Sequence, residues 1–139
     1  MPSKRILIIE DDAGIIELLE AVLESGDYEP VAGRGGRDGL RKLRESQIDL
    51  VLLDLMMDDV DGWAVLDAIK ADPELRDTPV IIVSVRSPLE DLDRASEYEG
   101  LYVDYVIKPF GVSQLLARIH AALEGESPPA RSRAITTEW

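Results

Sequence analysis

Four aliphatic residues stand in a row at Leu50-Val51-Leu52-Leu53, and four more at Ile6-Leu7-Ile8-Ile9. A strand turns successive side chains to opposite faces, so an unbroken aliphatic run needs both faces buried. That is the situation of strands in a parallel sheet covered by helices. Residues 28-32, 79-84 and 103-107 read as further strands beside 5-9 and 49-53. Between them apolar residues return at helical spacing: Ile15, Ile16, Leu19, Val22 and Leu23, more weakly Leu40 and Leu43, and then Trp63, Leu66 and Ile69. Val112, Leu115, Leu116, Ile119 and Leu123 make a last apolar stripe, read as sheet packing. Gly26 ends the first helix and Gly62 opens the third, while Ser87-Pro88-Leu89-Glu90 has the spacing of a capping box and predicts the start of a fourth helix. Strand and helix thus alternate, the pattern of repeated βα units in an α/β fold. Residues 1-124 are expected to form one domain, and 125-139, which show neither period, a flexible tail or truncated linker.

The charges fall where the aliphatic runs stop. In open parallel sheets ligands bind beyond the carboxyl ends of the strands. Glu10-Asp11-Asp12 follows the first run, Asp54 the third, and Lys108-Pro109 follows Tyr105-Val106-Ile107. Carboxylates gathered in one crevice repel one another and stay ionised only beside a cation. With no Cys and a single His, an oxygen-only set favours a hard ion such as Mg2+. Asp54 is the candidate nucleophile, because a carboxylate can attack phosphorus to give an acyl phosphate. Lys108 would then supply a point charge to a phosphoryl oxygen. Ser84, ending Val80-Ile81-Ile82-Val83, is aimed at the same crevice. Taken singly, each acid has a plainer account: Asp11 and Asp12 as starters of a helix, Asp54 as a loop acid. Their joint order at strand ends favours a site.

These residues resemble, over roughly 4 to 124, the receiver domain of two-component response regulators, of the chemotaxis-regulator kind. The resemblance implies a flavodoxin-like, doubly wound five-stranded parallel sheet with helices on both faces. It makes Asp54 the phosphoacceptor, and Asp11, Asp54 and the backbone carbonyl of Met56 ligands of Mg2+, with Glu10 reaching the ion mostly through water. Ser84 corresponds to the family's switch hydroxyl, Tyr105 to the aromatic that turns inward with it, and Lys108 to its lysine, whose bond to Pro109 is expected to be cis. The implied partners are a histidine kinase or histidine phosphotransfer protein, and a downstream protein target or missing effector domain, reached through the face of helix 4, strand 5 and helix 5. The implied chemistry is that of a phosphoacceptor that assists its own phosphorylation and dephosphorylation rather than of an enzyme. Three departures stand out: Asp58 where the family usually has Pro, Val85 where it has a small residue and where a β-branched side chain would shield Asp54, and one extra residue between Gly100 and Tyr105.

Composition narrows the alternatives. A net charge of −13 opposes direct nucleic acid binding by this chain, since that is driven by cationic neutralisation of phosphates. Part of the acidity clusters at Glu10, Asp11, Asp12, Asp54, Asp58, Asp59 and Asp61, where it would attract Mg2+. The absence of Cys fits a reducing cytosol, and the four apolar residues after Arg5 are too few for a leader or a membrane span, so a cytoplasmic location is expected. A phosphatase with an aspartyl nucleophile would need a second Asp two residues on, where Met56 stands. A flavin or nucleotide module would need a phosphate loop after the first strand, and Glu10-Asp11-Asp12-Ala13-Gly14 has the wrong charge. A degenerate receiver, binding partners without phosphorylation, is the remaining alternative. His120, on a helix that covers a sheet, is a poor phosphotransfer histidine.

Overall fold

The computed structural model describes residues 3–87, 90 and 92–125. Of the expected tail at 125–139, residues 126–139 lie outside them. The strands are β1 (Arg5–Glu10), β2 (Glu29–Arg34), β3 (Leu50–Leu53), β4 (Val80–Ser84) and β5 (Asp104–Ile107). The helices are α1 (Ala13–Ser25), α2 (Gly36–Glu45), α3 (Gly62–Ala71), α4 (Leu92–Glu97) and α5 (Val112–Leu123). All strand pairs are parallel, in the order β2-β1-β3-β4-β5. The expected doubly wound α/β sheet is therefore the fold. β2 runs two residues beyond its apolar stretch, because Gly33 and Arg34 still pair with Ile9 and Glu10, and backbone pairing needs no aliphatic side chain.

The central strands are covered on both faces, as their unbroken aliphatic runs demand. Ile6, Ile8, Leu50, Leu52, Ile81 and Val83 pack with Ile16, Leu19, Leu23, Leu115 and Ile119, the inner stripes of α1 and α5. Leu7, Ile9, Val51, Leu53 and Ile82 face the other way, against Leu43 of α2, Trp63, Leu66 and Ile69 of α3, and Ala95 of α4. Each fully buried side chain of this size contributes about 1.5–3 kcal/mol, which is why the strand faces fix the register.

Two helix readings change. Val112 is 46% exposed, so the packed stripe of α5 begins at Leu115. Arg118 is buried in its place, its guanidinium 3.6 Å from the buried Asp104 of β5 and donating to the carbonyl of Tyr105. At the fourth helix, Ser87 N donates to Glu90 Oε2 at 2.8 Å, one half of the expected capping box. Pro88 and Leu89 lie outside the described residues, and α4 is assigned only from Leu92, with Ala95 its buried residue.

β2 is an outer strand. Glu29 N bonds to Lys4 O, so the alternate residues Pro30, Ala32 and Arg34 turn their backbone groups away from β1. Pro30 has no N–H, Lys42 Nζ donates to Ala32 O, and Asp38 Oδ2 accepts from Arg34 N at 2.9 Å.

Candidate functional site at the carboxyl ends of the strands

The backbone brings the acids together before any side chain acts. Asp54 N bonds to Ile9 O at 3.0 Å, Gly35 N to Glu10 O at 3.0 Å, and Lys108 N to Ser84 O at 2.8 Å, so the loops leaving β2, β3 and β5 are sewn to neighbouring strands. Gly62 sets the next constraint. A Cβ there would lie 2.4 Å from both Asp54 O and Leu55 Cα, so the first turn of α3 sits directly against the backbone that presents Asp54.

Glu10 and Asp54 are buried, and Glu10, Asp11 and Asp54 each offer an oxygen within 4.8 Å of the others. Lys108 Nζ lies 2.6 Å from Glu10 Oε1 and 3.9 Å from Asp54 Oδ1. Burial pushes the Asp54 carboxyl from 3.8 up to about 6, against the pull of the Lys108 ammonium, with Glu10 adding to the rise. Glu10 Oε2 also accepts from Asp11 N and Asp12 N, both at 3.1 Å. Asp12 itself caps α1, accepting from Gly14 N and Ile15 N, so the plain capping account holds for Asp12 and not for Asp11. Asp11 Oδ2 instead accepts from Asp58 N at 2.8 Å, and Asp54 Oδ1 from Met56 N at 3.2 Å. Three carboxylates with one ammonium, and no sulfur or imidazole donor in the cluster, fit a hard divalent cation such as Mg2+.

Ser84 and Tyr105 meet at one residue, Arg86. Ser84 is fully buried and its Oγ accepts from Arg86 N at 3.3 Å, while Tyr105 OH donates to Arg86 O at 2.6 Å. The Tyr105 ring is buried, edge-on to Tyr102 at 5.9 Å. Val85, between Ser84 and Arg86 in the chain, is 57% exposed. The Lys108-Pro109 peptide is cis, as expected. His120 is exposed on α5.

A model of the response regulator receiver domain matches residues 6–120. The chain belongs to the response regulator receiver family. Among curated relatives of these receivers, the phosphate regulon transcriptional regulatory protein PhoB of Klebsiella pneumoniae is 35% identical over 133 residues, which is 96% of this chain and 57% of the relative. The chain thus spans a little over half the length of that regulator. Among solved structures, the receiver domain of a signal transduction histidine kinase from Syntrophus aciditrophicus is 31% identical, with a TM-score of 0.81 over 99% of this chain and all of its own. The response regulator TrrA of Thermotoga maritima, solved with Mg2+ and a beryllium fluoride, is 28% identical with a TM-score of 0.75 over 86% of this chain and 98% of its own.

This receiver holds contacts that its sequence did not announce. In the sequence Asp59 is one acid among several near the strand ends. Its Oδ1 accepts from Gly36 N at 3.0 Å and its Oδ2 from Arg37 N at 3.1 Å, at the start of a helix whose own N-cap, Gly35, has no side chain to give. The signal was available: a Gly35-Gly36 pair before a helix leaves its first amides to be satisfied from elsewhere. Asp61 caps α3 through Trp63 N and also pairs with Arg94 of α4 at 2.8 Å, the guanidinium lying 5.9 Å from the Trp63 and Tyr98 ring centres.

Proposed function

We propose that this receiver accepts a phosphoryl group on Asp54 from a histidine kinase or histidine phosphotransfer protein, in a Mg2+-dependent reaction, and signals through the face formed by α4, β5 and α5. The observation that carries the reading is the Glu10–Asp11–Asp54 cluster, two of its carboxylates buried, with Lys108 beside those two.

In this reading Asp11, Asp54 and the Met56 carbonyl hold the ion, and Glu10 holds it mostly through water. The ion's contribution is to neutralise phosphoryl oxygens. An oxygen of ionised Asp54 attacks phosphorus, the bond to the donor's leaving group breaks, and an acyl phosphate forms. Lys108, already 3.9 Å from Asp54, turns its ammonium to a phosphoryl oxygen. With a loose transition state the work is positioning and charge stabilisation, which a pre-built crevice supplies. Ser84 and Tyr105 then carry the change outward. Both hold the backbone of Arg86, one at its N–H and the other at its C=O, so a shift of the Ser84 hydroxyl toward the phosphoryl group releases one of the two holds. The downstream target, or an effector domain absent from this chain, reads the result; no direct nucleic acid contact is assigned to the receiver, which we place in the cytoplasm as the domain 1-124, with 125-139 as a linker or tail. Among the described residues no helix is long and apolar enough to cross a membrane.

The test is intact-mass analysis after incubation with a small acyl-phosphate donor. The expected result is one phosphoryl group, absent in Asp54→Asn and suppressed by excess chelator. Incorporation that survives either treatment removes Asp54 or the ion from the mechanism. A chain that binds Mg2+ yet never takes up phosphate would leave the degenerate receiver in its place.

A further inference from the structure

Asp59 stands outside the acidic cluster, yet it is joined to it through the backbone. Its neighbour Asp58 donates its N–H to Asp11 Oδ2 at 2.8 Å, and two residues before Asp58 lies Met56, whose amide contacts Asp54 Oδ1 at 3.2 Å. Residues 55–61 therefore touch two of the three clustered carboxylates. The far side of this loop is fixed by Asp59, whose two oxygens accept from Gly36 N and Arg37 N. The fit is close: a Cβ on Gly36 would come within 2.0 Å of Val60 Cγ2, and Gly35 adopts a φ of +91° beside the Asp59 carboxylate. Gly35 N is bonded in turn to Glu10 O. The start of α2 is thus held by β1 on one side and by the loop after β3 on the other.

A carboxylate on two amides of a helix start gains from both the hydrogen bonds and the helix dipole. The Asp59 carboxyl feels burial, which pushes it up, but the amides of Arg37, Gly36 and Val60 outweigh that and hold it below its ordinary value. It is ionised, and a good acceptor, throughout the neutral range.

We propose that Asp59 is a positioning residue for the Mg2+ site: by anchoring residues 55–61 to the N-terminus of α2 it holds the Met56 carbonyl and the Asp58 N–H at the orientations the ion and Asp11 require. The proposal rests on the reading of Glu10, Asp11, Asp54 and Met56 as the ion's ligands. Groups that orient ligands in this way typically change metal affinity by about 10–100-fold when removed. Asp59 is exposed and bonds only to amides, so about tenfold, the lower end of that range, is expected.

Removing Asp59 also removes a negative charge, which weakens cation binding on its own. Asp59→Ala and Asp59→Asn lose the same charge, but the Asn side chain keeps an oxygen that can accept from Gly36 N. Calorimetric titration of the full chain with MgCl2 is therefore run on wild type and both variants, with Val22→Ala, a buried residue of α1 in the core on the other face of the sheet from the loop, as a control for general loss of stability. The expected order of affinity is wild type, then Asp59→Asn, then Asp59→Ala, with Val22→Ala at the wild-type value. Backbone amide exchange on wild type adds a measurement that needs no variant: Mg2+ should slow exchange at Gly36 and Arg37. Equal affinities in Asp59→Asn and Asp59→Ala, an unaltered affinity in Asp59→Ala, or amides at 36 and 37 indifferent to Mg2+ would each overturn the proposal while leaving the ion site standing. A wild-type chain that takes no Mg2+ overturns the site and the proposal together.

Discussion

Ionised, Asp54 works against the folded chain. Its carboxyl is raised from 3.8 to about 6 by burial, so the native state keeps this proton to higher pH than the unfolded state does. Stability from this group is full below about pH 3.8 and is lost as pH rises toward 6, reaching at neutral pH an upper bound of about 3 kcal/mol. Metal-free Asp54→Asn should therefore be more stable than wild type at pH 7, by at most about 3 kcal/mol, and the gap should close below pH 4. Urea unfolding across that range checks it, and an Asn variant no more stable at pH 7 would contradict the assignment of a strained carboxylate. Mg2+ affinity should fall as pH drops through about 6, since the proton and the ion compete for the same oxygens. Lys108 carries the opposite sign. Its removal in Lys108→Ala leaves Glu10 and Asp54 buried without their cation, a loss of about 3 kcal/mol for a broken buried pair. The same change should tighten Mg2+ binding, because an ammonium no longer competes with the ion. Titration and unfolding of one variant thus move in opposite directions, and weaker Mg2+ binding would count against this role.

At the scale of elements, α4 is the least anchored. It is six residues long with Ala95 its buried residue, and Arg94 ties it to the N-cap of α3 through Asp61 while lying over Trp63 and Tyr98. Arg94→Ala should speed amide exchange in residues 92–97 while lowering global stability by about 1 kcal/mol or less, since the pair is half exposed. Exchange that rises equally in α5 would show general unfolding and not a local release. The same element marks the limit of what the sequence disclosed. The five strands and the helices with strong apolar stripes were legible because both-face burial and the helical period write themselves into residue order. The cluster of Glu10, Asp11, Asp54 and Lys108 was legible because each ends a strand. Arg118 was not: a charged residue in a helix reads as solvated, and only the buried Asp104 across from it, at 3.6 Å, makes its interior position tenable. Val112 failed for the converse reason, an apolar residue in phase with the stripe but in the first turn, at 46% exposure. Asp59 and Arg94 act across the chain, 23 and 33 residues from their partners, and no local pattern announces a contact of that kind.

The whole molecule carries a net charge of −13, and the repulsion among these acids opposes its compact form. Monovalent salt should therefore raise the unfolding temperature by a few degrees through the tenth-molar range, where screening lengths fall to about 10 Å. This rise should persist in Asp54→Asn, whereas any further rise specific to Mg2+ should depend on Asp54; an unfolding temperature that falls with salt would mean that local ion pairs, not the overall charge, decide stability. One more property belongs to the molecule as a whole. The outward side of β2 offers a proline with no N–H, a carbonyl taken by Lys42 and an N–H taken by Asp38, both groups reaching over from α2. A sixth strand seeking to add itself there, from another copy or from an unfolding neighbour, finds the row of donors and acceptors broken at three places. Growth of the sheet by edge-to-edge polymerisation is therefore opposed on that flank by the protein's own helix.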